Sequence, residues 1–316
     1  MGGARTQFFS QWNNGNTVLV DQGVTTGQVF FVDSGASAGG TTSGFGTSPE
    51  RAFTTLDSAI VNCLPNNGDI IYVLPGHAET IIADSGVDID VAGVTIIGLG
   101  RGAARPTFTF QTNVAADFKL AAASTVIKNL LFLNNLDNTT GIVEVSAADC
   151  AIIDCEFREL DPAAFADTLL LTTAAADRLE VAGCRFYGNA GNGAVSLIEL
   201  VGADDAHIHD CYLFGDCTLG VIQCLTTPSL RVRMHDLYLH NDDDTAGADA
   251  VHGIRDQVTG SSGLIGPNIF VRLGLDAANV SGAVVGATFT IFRPINVVNA
   301  AGEATMAVDR VDSTDV

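Results

Sequence analysis

The sequence predicts an all-β protein folded as a parallel β-solenoid, and three observations support this prediction. A short pattern recurs along the chain every 25–31 residues. Each copy interrupts the two-residue alternation of a strand at a bend-forming residue, and the composition favours turns over helices. Recurrence at such a period is typical of repeat architectures, in which each unit buries its apolar face against its neighbours.

Each copy has an apolar residue at its centre, then Asn, Asp or Gly, and then a second short apolar segment. The central residues are Ile96, Ile127, Ile152, Val181, Ile208 and Met234. The two halves alternate as half-buried strands do, and Asn, Asp and Gly tolerate the left-handed backbone needed between them. A further apolar run follows in most periods, as at residues 195–200. The repeat therefore predicts three strands per rung, with rungs stacked about 4.8 Å apart.

Aspartate greatly outnumbers glutamate among the acidic residues, with 28 Asp and 8 Glu. Lysine is scarce and occurs only twice. Asp favours turns and caps, whereas Glu and Lys favour helices. The formal net charge of −21 also argues against nucleic acid, anionic membranes and polyanionic glycans as partners, since their charges would repel the protein. Composition thus favours strands and tight turns, and it excludes most classes that bind polyanions.

Cysteines and phenylalanines recur at equivalent inward positions of successive copies. The predicted columns are Cys155, Cys184 and Cys211 in one case, and Phe132, Phe157 and Phe186 in the other. No His or acid shares the cysteine column, so we expect a thiol ladder in the core rather than a metal or redox site. The chain has 7 Cys and no CxxC pair, which does not indicate a disulfide framework. Neither an apolar signal segment nor a bilayer-length run is found, so synthesis in a reducing compartment without signal-peptide-directed secretion is expected.

The N-terminal part of the repeat region resembles a known family. The residues that carry the resemblance are Phe31-Val32-Asp33, Gly46-Thr47-Ser48-Pro49, Ala52-Phe53-Thr54-Thr55-Leu56 and Gly68-Asp69-Ile70-Ile71-Tyr72-Val73. These segments resemble the first, N-terminal turn of pectate-lyase-like right-handed parallel β-helix proteins. That family includes lyases, hydrolases and phage structural proteins. The resemblance implies a right-handed β-helix over residues 29–290. Residues 1–28 and 291–316 fall outside the repeats and are expected to form an N-terminal arm and a C-terminal cap or tail. Apolar residues at helical spacing predict a capping helix at about 54–64, started by Thr54 or Thr55.

The motifs by which enzymes of that family are recognised are incomplete in this chain. Galacturonan hydrolases carry Gly-His-Gly and Arg-Ile-Lys, which are missing, although Asp204-Asp205 and Asp242-Asp243-Asp244 are present. Pectate lyases pair calcium-binding acids with an Arg or Lys base, for which Arg255 is the nearest candidate. The three aspartates in a row fit a solvated turn better than a catalytic pair. The sequence therefore assigns no catalytic residue.

One predicted outward patch on the first strands of three rungs carries five ionisable side chains. The patch comprises Glu180, His207, His209, Arg233 and His235. Three histidines so placed could ligate zinc or transfer protons. The alternative is a solvated sheet face or a subunit contact, and Arg233 disfavours a dication. The sequence does not decide the role of this patch and assigns no metal or cofactor.

A second outward column contains Glu156, Arg185, Tyr212 and Tyr238. We expect a cross-rung ion pair between Glu156 and Arg185, worth little if exposed. Stacked tyrosines suit either a sugar or a protein interface, and the interface is preferred because the single Trp, Trp12, lies outside the rungs. Outward apolar residues such as Ile97 and Ile153 indicate association. The expected interface residues are Tyr212, Tyr238, Ile97, Ile153 and Trp12, and the expected assembly is a homotrimer.

Two functions from different classes follow from the sequence. The preferred one is a virion structural protein of a bacteriophage, a capsid decoration or cement protein or a short spike, made in the host cytoplasm and bound to the major capsid protein. The alternative is a carbohydrate-active β-helix enzyme, a polysaccharide lyase or glycoside hydrolase such as a phage depolymerase. Because the family motifs are missing and Lys is scarce, the sequence weighs against an enzyme without excluding it. A neutral glycan remains a candidate ligand, and no cofactor is expected.

Overall fold

The structure is a computed structural model of the 316-residue chain. It describes residues 25, 27–36, 46–137, 139–160, 166–189, 194–242, 252–258, 260–274, 284–285, 289–291 and 295–298. The predicted N-terminal arm, including Trp12, lies almost entirely outside these residues, as do Asp243, Asp244 and most of the predicted C-terminal cap.

Short strands make up nearly all of the described structure. They are β1 (Val29–Val32), β2 (Ile70–Val73), β3 (Ala78–Ile81), β4 (Val87–Ile89), β5 (Thr95–Gly98), β6 (Thr107–Phe110), β7 (Phe118–Leu120), β8 (Val126–Lys128), β9 (Leu131–Asn134), β10 (Val143–Val145), β11 (Ala151–Ile153), β12 (Glu156–Glu159), β13 (Thr168–Thr172), β14 (Glu180–Ala182), β15 (Arg185–Tyr187), β16 (Ser196–Leu200), β17 (His207–His209), β18 (Tyr212–Gly215), β19 (Gly220–Cys224), β20 (Val232–His235), β21 (Leu237–Asn241), β22 (His252–Asp256), β23 (Gly263–Ile265), β24 (Ile269–Leu273), β25 (Val284–Val285), β26 (Phe289–Ile291) and β27 (Ile295–Val298). One α-helix, α1 (Leu56–Ile60), and 3₁₀ turns at Pro49–Arg51 and Gly102–Ala104 complete the elements.

The strands form three parallel sheets that wind as a right-handed β-helix, which confirms the predicted fold class. The first sheet has the order β1-β2-β5-β8-β11-β14-β17-β20-β23-β26, the second contains β3 and every third strand after it to β27, and the third runs from β4 to β25. The register aligns the predicted central residues, so that Ile152 pairs with Ile127 on one side and Val181 on the other. Each rung therefore repeats the same inward and outward positions.

The bend between the first and second sheets forms where the sequence predicts it. Asn129, Asp154, Asp210 and Asp236 have φ angles of 56°, 53°, 54° and 52°, the left-handed region that short polar side chains and glycine tolerate. Asn129 also donates from Nδ2 to the carbonyl oxygens of Gly98 and Gly100, at 2.8 and 3.0 Å. The corner residue thus supplies both the backbone shape and a link to the preceding rung.

The interior of the solenoid contains the predicted columns. Phe157 stacks between Phe132 and Phe186, with ring centroids 5.0 and 4.3 Å away. Cys155, Cys184 and Cys211 are buried and unpaired. The thiol of Cys184 donates to the carbonyl oxygens of Ile152 and Ala182, each at 3.4 Å. Among the described residues these thiols act as small core side chains, as predicted.

The open N-terminal end of the solenoid is covered by α1, with Leu56, Ala59 and Ile60 fully buried. Thr55 is the N-cap and accepts a hydrogen bond from the backbone N–H of Ser58. The helix is shorter than the predicted 54–64, and Leu64 is 55% exposed rather than packed inward. Pro65 follows Leu64 and disfavours helical backbone there. No helix among the described residues is long and apolar enough to span a bilayer.

Candidate functional site

The outer face of the third sheet carries one side chain per rung, which we call the third-sheet row. The row comprises Asp88, Lys119, Glu144, Leu171, Glu199, Gln223 and Arg255. Its inward neighbours Ile198 and Ile222 are fully buried. Because close packing fixes the strands and the pleat alternates side chains, the sheet holds the row in one line on its outer surface.

Glu199 is the most chemically promising member of the row. Its Oε2 accepts hydrogen bonds from Gln223 Nε2 at 3.2 Å and from Thr168 Oγ1 at 3.3 Å. Burial raises the pKa of the Glu199 carboxyl, and the hydrogen bonds from Gln223 and Thr168 oppose the shift only in part. A carboxylic acid with a raised pKa keeps a protonated fraction closer to neutral pH, which is what a general acid requires.

Two polar atoms of the row have no hydrogen-bond partner among the described residues, one on Gln223, next to Glu199 in the register, and one on Arg255, two strands from Glu199. Gln223 is fully buried, and its Oε1 has no partner among the described residues. The Nη1 of Arg255 is likewise buried without a partner in that part of the chain. A buried acceptor and a buried donor left open on one face cost free energy unless another molecule satisfies them. The two atoms lie next to each other in the strand register, under the part of the row that follows Glu199.

The sequence reasoning named Arg255 but missed Glu199 and Gln223. The signal was present, because both residues sit at the outward position of the third strand in their repeats, between the inward residues that identified those strands. The alternation that identifies outward residues on the first and second strands applies equally to the third strand and places these side chains in one row.

On the first sheet, the structure brings together the three predicted histidines. One nitrogen from each of His207, His209 and His235 lies within 4.8 Å of the others. The Nε2 atoms of His207 and His235 are 2.8 Å apart. Burial lowers the pKa of His207, and the neighbouring His209 and His235 lower it further. The arrangement can share a proton or hold a transition-metal ion.

Carboxylates surround the histidines. Asp210 Oδ2 lies 2.7 Å from His209 Nδ1, and Asp236 Oδ2 lies 2.6 Å from His235 Nδ1. Glu180 Oε1 is 3.2 Å from His209 Nε2. Burial alone would lower the pKa of His209, but hydrogen bonds with Asp210 and Glu180 raise it overall. Both aspartates are corner residues, so the bend that shapes the rung also aims a carboxylate at a histidine ring.

The predicted tyrosine column lies on the second sheet and extends further than expected. Tyr238 is sandwiched between Tyr212 and Phe270, with centroids 4.8 and 5.0 Å away and planes inclined by 6° and 13°. Both flat faces of Tyr238 are therefore covered by neighbouring rings. A sugar stacks on a free aromatic face, so the column as folded presents ring edges rather than a sugar platform.

Of the other predicted interface residues, Ile97 and Ile153 lie on the outer face of the first sheet and are half-buried. Lys128 lies between them in the strand register. The two isoleucines are therefore two rungs apart. Their role as an interface remains a prediction.

The prediction that Glu156 pairs with Arg185 is wrong, because Glu156 has other partners. The two residues are in register, but Glu156 forms its ion pairs with Arg105, at 2.8 Å, and with Arg158. Arg158 is two positions further on the same strand and projects from the same face as Glu156. It is therefore placed to pair with Glu156 in preference to Arg185. Glu156 is also buried rather than exposed.

The Asp204-Asp205 pair, matched against hydrolase motifs, is held by an arginine. Arg231 Nη2 lies 3.2 Å from Asp204 Oδ2 and 2.8 Å from Asp205 Oδ2. Asp205 has a φ of 58°. Both carboxylates thus form ion pairs with Arg231 at a turn between rungs, which favours a structural role for the two aspartates.

Comparison with known proteins shows the fold alone. No family model matches the chain, and no curated protein matches it. A solved structure described as a rhamnogalacturonan lyase is similar, with a TM-score of 0.56 and 12% sequence identity, and the match covers 88% of this chain and 75% of that one. That similarity is independent support for the parallel β-helix.

Proposed function

We propose that the protein is a carbohydrate-active enzyme that cleaves a polysaccharide bound along the outer face of its third sheet. The observation that carries this proposal is Glu199, a carboxyl with a raised pKa in a row of polar side chains, next to Gln223 and two strands from Arg255 in the register. The likeness to a rhamnogalacturonan lyase supports it at the level of fold. This function is the alternative that the sequence left open.

Glu199 is suited to protonate the leaving group. Breaking a glycosidic bond, by hydrolysis or by elimination, leaves an oxygen that must take up a proton. Burial raises the pKa of the Glu199 carboxyl, which favours its protonated form, and the hydrogen bonds from Gln223 and Thr168 hold its orientation. General acid catalysis of this kind contributes about 100- to 10,000-fold in rate.

Gln223 is suited to position Glu199, and Arg255 is suited to bind the substrate. Gln223 is fully buried and donates to Glu199, so it holds that carboxyl in place. The half-buried Arg255 guanidinium can donate to a hydroxyl or a carboxylate oxygen of the substrate. The strands from Glu144 to Arg255 are five in number. At about 4.8 Å per strand they cover about 19 Å, enough for a chain of several sugars.

The virion structural role, which the sequence preferred, has no specific support among the described residues. Binding to a major capsid protein and location on a virion therefore remain untested predictions. The enzymatic proposal is preferred because the half-buried Glu199, with its raised pKa, lies in a row of polar side chains on one face, which a passive decoration surface does not require.

The proposal is tested by incubating the protein with a panel of uncharged polysaccharides, which its net charge does not repel, and with rhamnogalacturonan as an acidic polysaccharide for comparison. New reducing ends report any cleavage, and ultraviolet absorbance of unsaturated products separates elimination from hydrolysis. Cleavage should fall about 100-fold or more in Glu199→Gln and should persist in Glu50→Gln, an exposed glutamate outside the row. Absence of cleavage across the panel, or full activity of a folded Glu199→Gln, would overturn the proposal.

A further inference from the structure

We propose that His207, His209 and His235 bind a divalent transition-metal ion of the zinc type on the outer face of the first sheet. One nitrogen of each lies within 4.8 Å of the others. The site is on a different sheet from Glu199 and does not depend on the proposed enzymatic function. It would join successive rungs of the solenoid.

The strand geometry gathers the three rings. His207 and His209 flank the buried Ile208 on β17, so both project outward, and their ring centroids are 4.2 Å apart. His235 on β20 is in register with His209, with centroids 5.2 Å apart. The backbone therefore places three imidazoles around one point without any contribution from a loop.

The aspartates orient two of the rings as metal ligands. The Nδ1 atoms of His209 and His235 lie within hydrogen-bond distance of Asp210 and Asp236. A proton held on Nδ1 leaves the Nε2 lone pair free, and this carboxylate–histidine arrangement accompanies most histidine metal ligands. Such outer carboxylates fix the tautomer and raise the basicity of the ligating nitrogen.

The charges around the histidines favour a dication. Glu180, Asp210 and Asp236 contribute three negative charges against one positive charge from Arg233, which leaves a net charge of about −2. Glu180 Oε1 is 3.2 Å from His209 Nε2, so it can supply a fourth, oxygen ligand. Arg233, which in the sequence disfavours a dication, is therefore outnumbered by nearby carboxylates in the folded protein.

The distances need only small adjustment to receive the ion. Tetrahedral coordination with zinc–nitrogen bonds of about 2.0–2.1 Å places ligand atoms about 3.3 Å apart. His207 Nε2 and His235 Nε2 are 2.8 Å apart, and no two of the three ligand nitrogens are more than 4.8 Å apart. Ring rotations that change these separations by at most about 1.5 Å therefore bring the nitrogens to that spacing. Three imidazoles and a carboxylate favour zinc and related transition metals over calcium or magnesium, which prefer oxygen ligands.

Metal binding would stabilise the middle of the solenoid. Glu180, His207 and His235 belong to three consecutive strands, β14, β17 and β20. An ion that binds only the folded chain raises the free energy of unfolding by an amount that grows with its concentration. The expected effect is a higher melting temperature in zinc.

The test uses untagged full-length protein, freed of metal by a chelator and titrated with Zn²⁺ at neutral pH in a calorimeter. We expect one ion per chain with micromolar or tighter affinity, loss of binding in His209→Gln and His235→Gln, and unchanged binding in His240→Gln, a histidine on the second sheet. Asp236→Asn, which keeps all three rings, should weaken binding about 10- to 100-fold. Co²⁺ should give the intense visible spectrum of a tetrahedral site in the parent and in His240→Gln, but not in His209→Gln or His235→Gln.

Several outcomes would overturn the proposal. They are the absence of saturable Zn²⁺ binding, binding that is equal in the parent and in folded His209→Gln and His235→Gln variants, and binding of Ca²⁺ or Mg²⁺ in preference to Zn²⁺. Circular dichroism of each variant shows whether it has folded, and Asp236→Asn provides a test if the histidine variants fail to fold.

Discussion

Phe157 and Phe186 lie ring over ring on successive rungs, with centroids 4.3 Å apart and planes 4° from parallel. Both side chains are fully buried. The contact follows directly from the parallel register of β12 and β15. It makes the phenylalanine column a sensitive probe of packing in the core.

Removing one ring from this column should destabilise the protein strongly. Phe157→Ala deletes a side chain that contacts two aromatic neighbours, and such substitutions in a packed core cost about 3–5 kcal/mol. Urea unfolding followed by circular dichroism measures the change. Val114→Ala, at a residue that is 56% exposed, is the control and should change the free energy of unfolding by less than about 0.5 kcal/mol. A loss below about 1 kcal/mol in Phe157→Ala would show that the column is loosely packed.

Asn129 stabilises its corner through its left-handed backbone and through its side-chain hydrogen bonds. Two substitutions separate these contributions. Asn129→Gly keeps the left-handed backbone, φ 56°, but loses the hydrogen bonds to Gly98 and Gly100. Asn129→Ala loses the hydrogen bonds and also imposes a left-handed alanine, which costs about 1–2 kcal/mol more. Urea midpoints should therefore fall in the order parent, glycine variant, alanine variant. Equal stability of the two variants would mean that the corner backbone has shifted.

Glu159 should make stability depend on pH. Burial raises its pKa from the usual 4.5 to about 7, although the backbone N–H groups of Ala166 and Asn189 donate to the carboxylate and lower it in part. The folded-state pKa exceeds the unfolded one, so the folded protein holds the proton more tightly. Its contribution is fully present below about pH 4.5 and is lost as pH rises to about 7.

The measurement for Glu159 is the free energy of unfolding between pH 4.5 and 8. The parent should lose on the order of 3 kcal/mol more than Glu159→Gln across that range. Glu50→Gln, an exposed glutamate, should follow the parent. Parallel curves for the parent and Glu159→Gln would show that Glu159 titrates normally.

Self-association through the first sheet remains a prediction. Native mass spectrometry of the parent is expected to show a trimer, and replacing Ile97 and Ile153 together with Asp should give monomers, because buried carboxylates at an apolar contact are costly. Val114→Asp places the same charge at an exposed apolar site elsewhere and should leave the assembly intact. A stable parent monomer would contradict the prediction.

The sequence could predict the solenoid because every rung repeats one pattern. The periodic apolar residues and the Asn or Asp corners determine the inward columns, so Cys184 and Phe186 were placed in the core from their position in the repeat. In a parallel stack the backbone hydrogen bonds fix the register. Residues that are equivalent in the repeat must therefore be neighbours in space.

The tertiary structure decided what the repeat leaves open, namely the burial, rotamer and partner of each outward side chain. Alternation places Glu156 beside Arg185, but packing pairs it with Arg105 and Arg158. It places Tyr238 on a surface, but only the ring planes show that both of its faces are covered. Likewise, the raised pKa of Glu199 depends on burial by groups distant in the sequence. The sequence determined the columns because backbone pairing is periodic, whereas the chemistry of each site depends on three-dimensional packing that does not repeat.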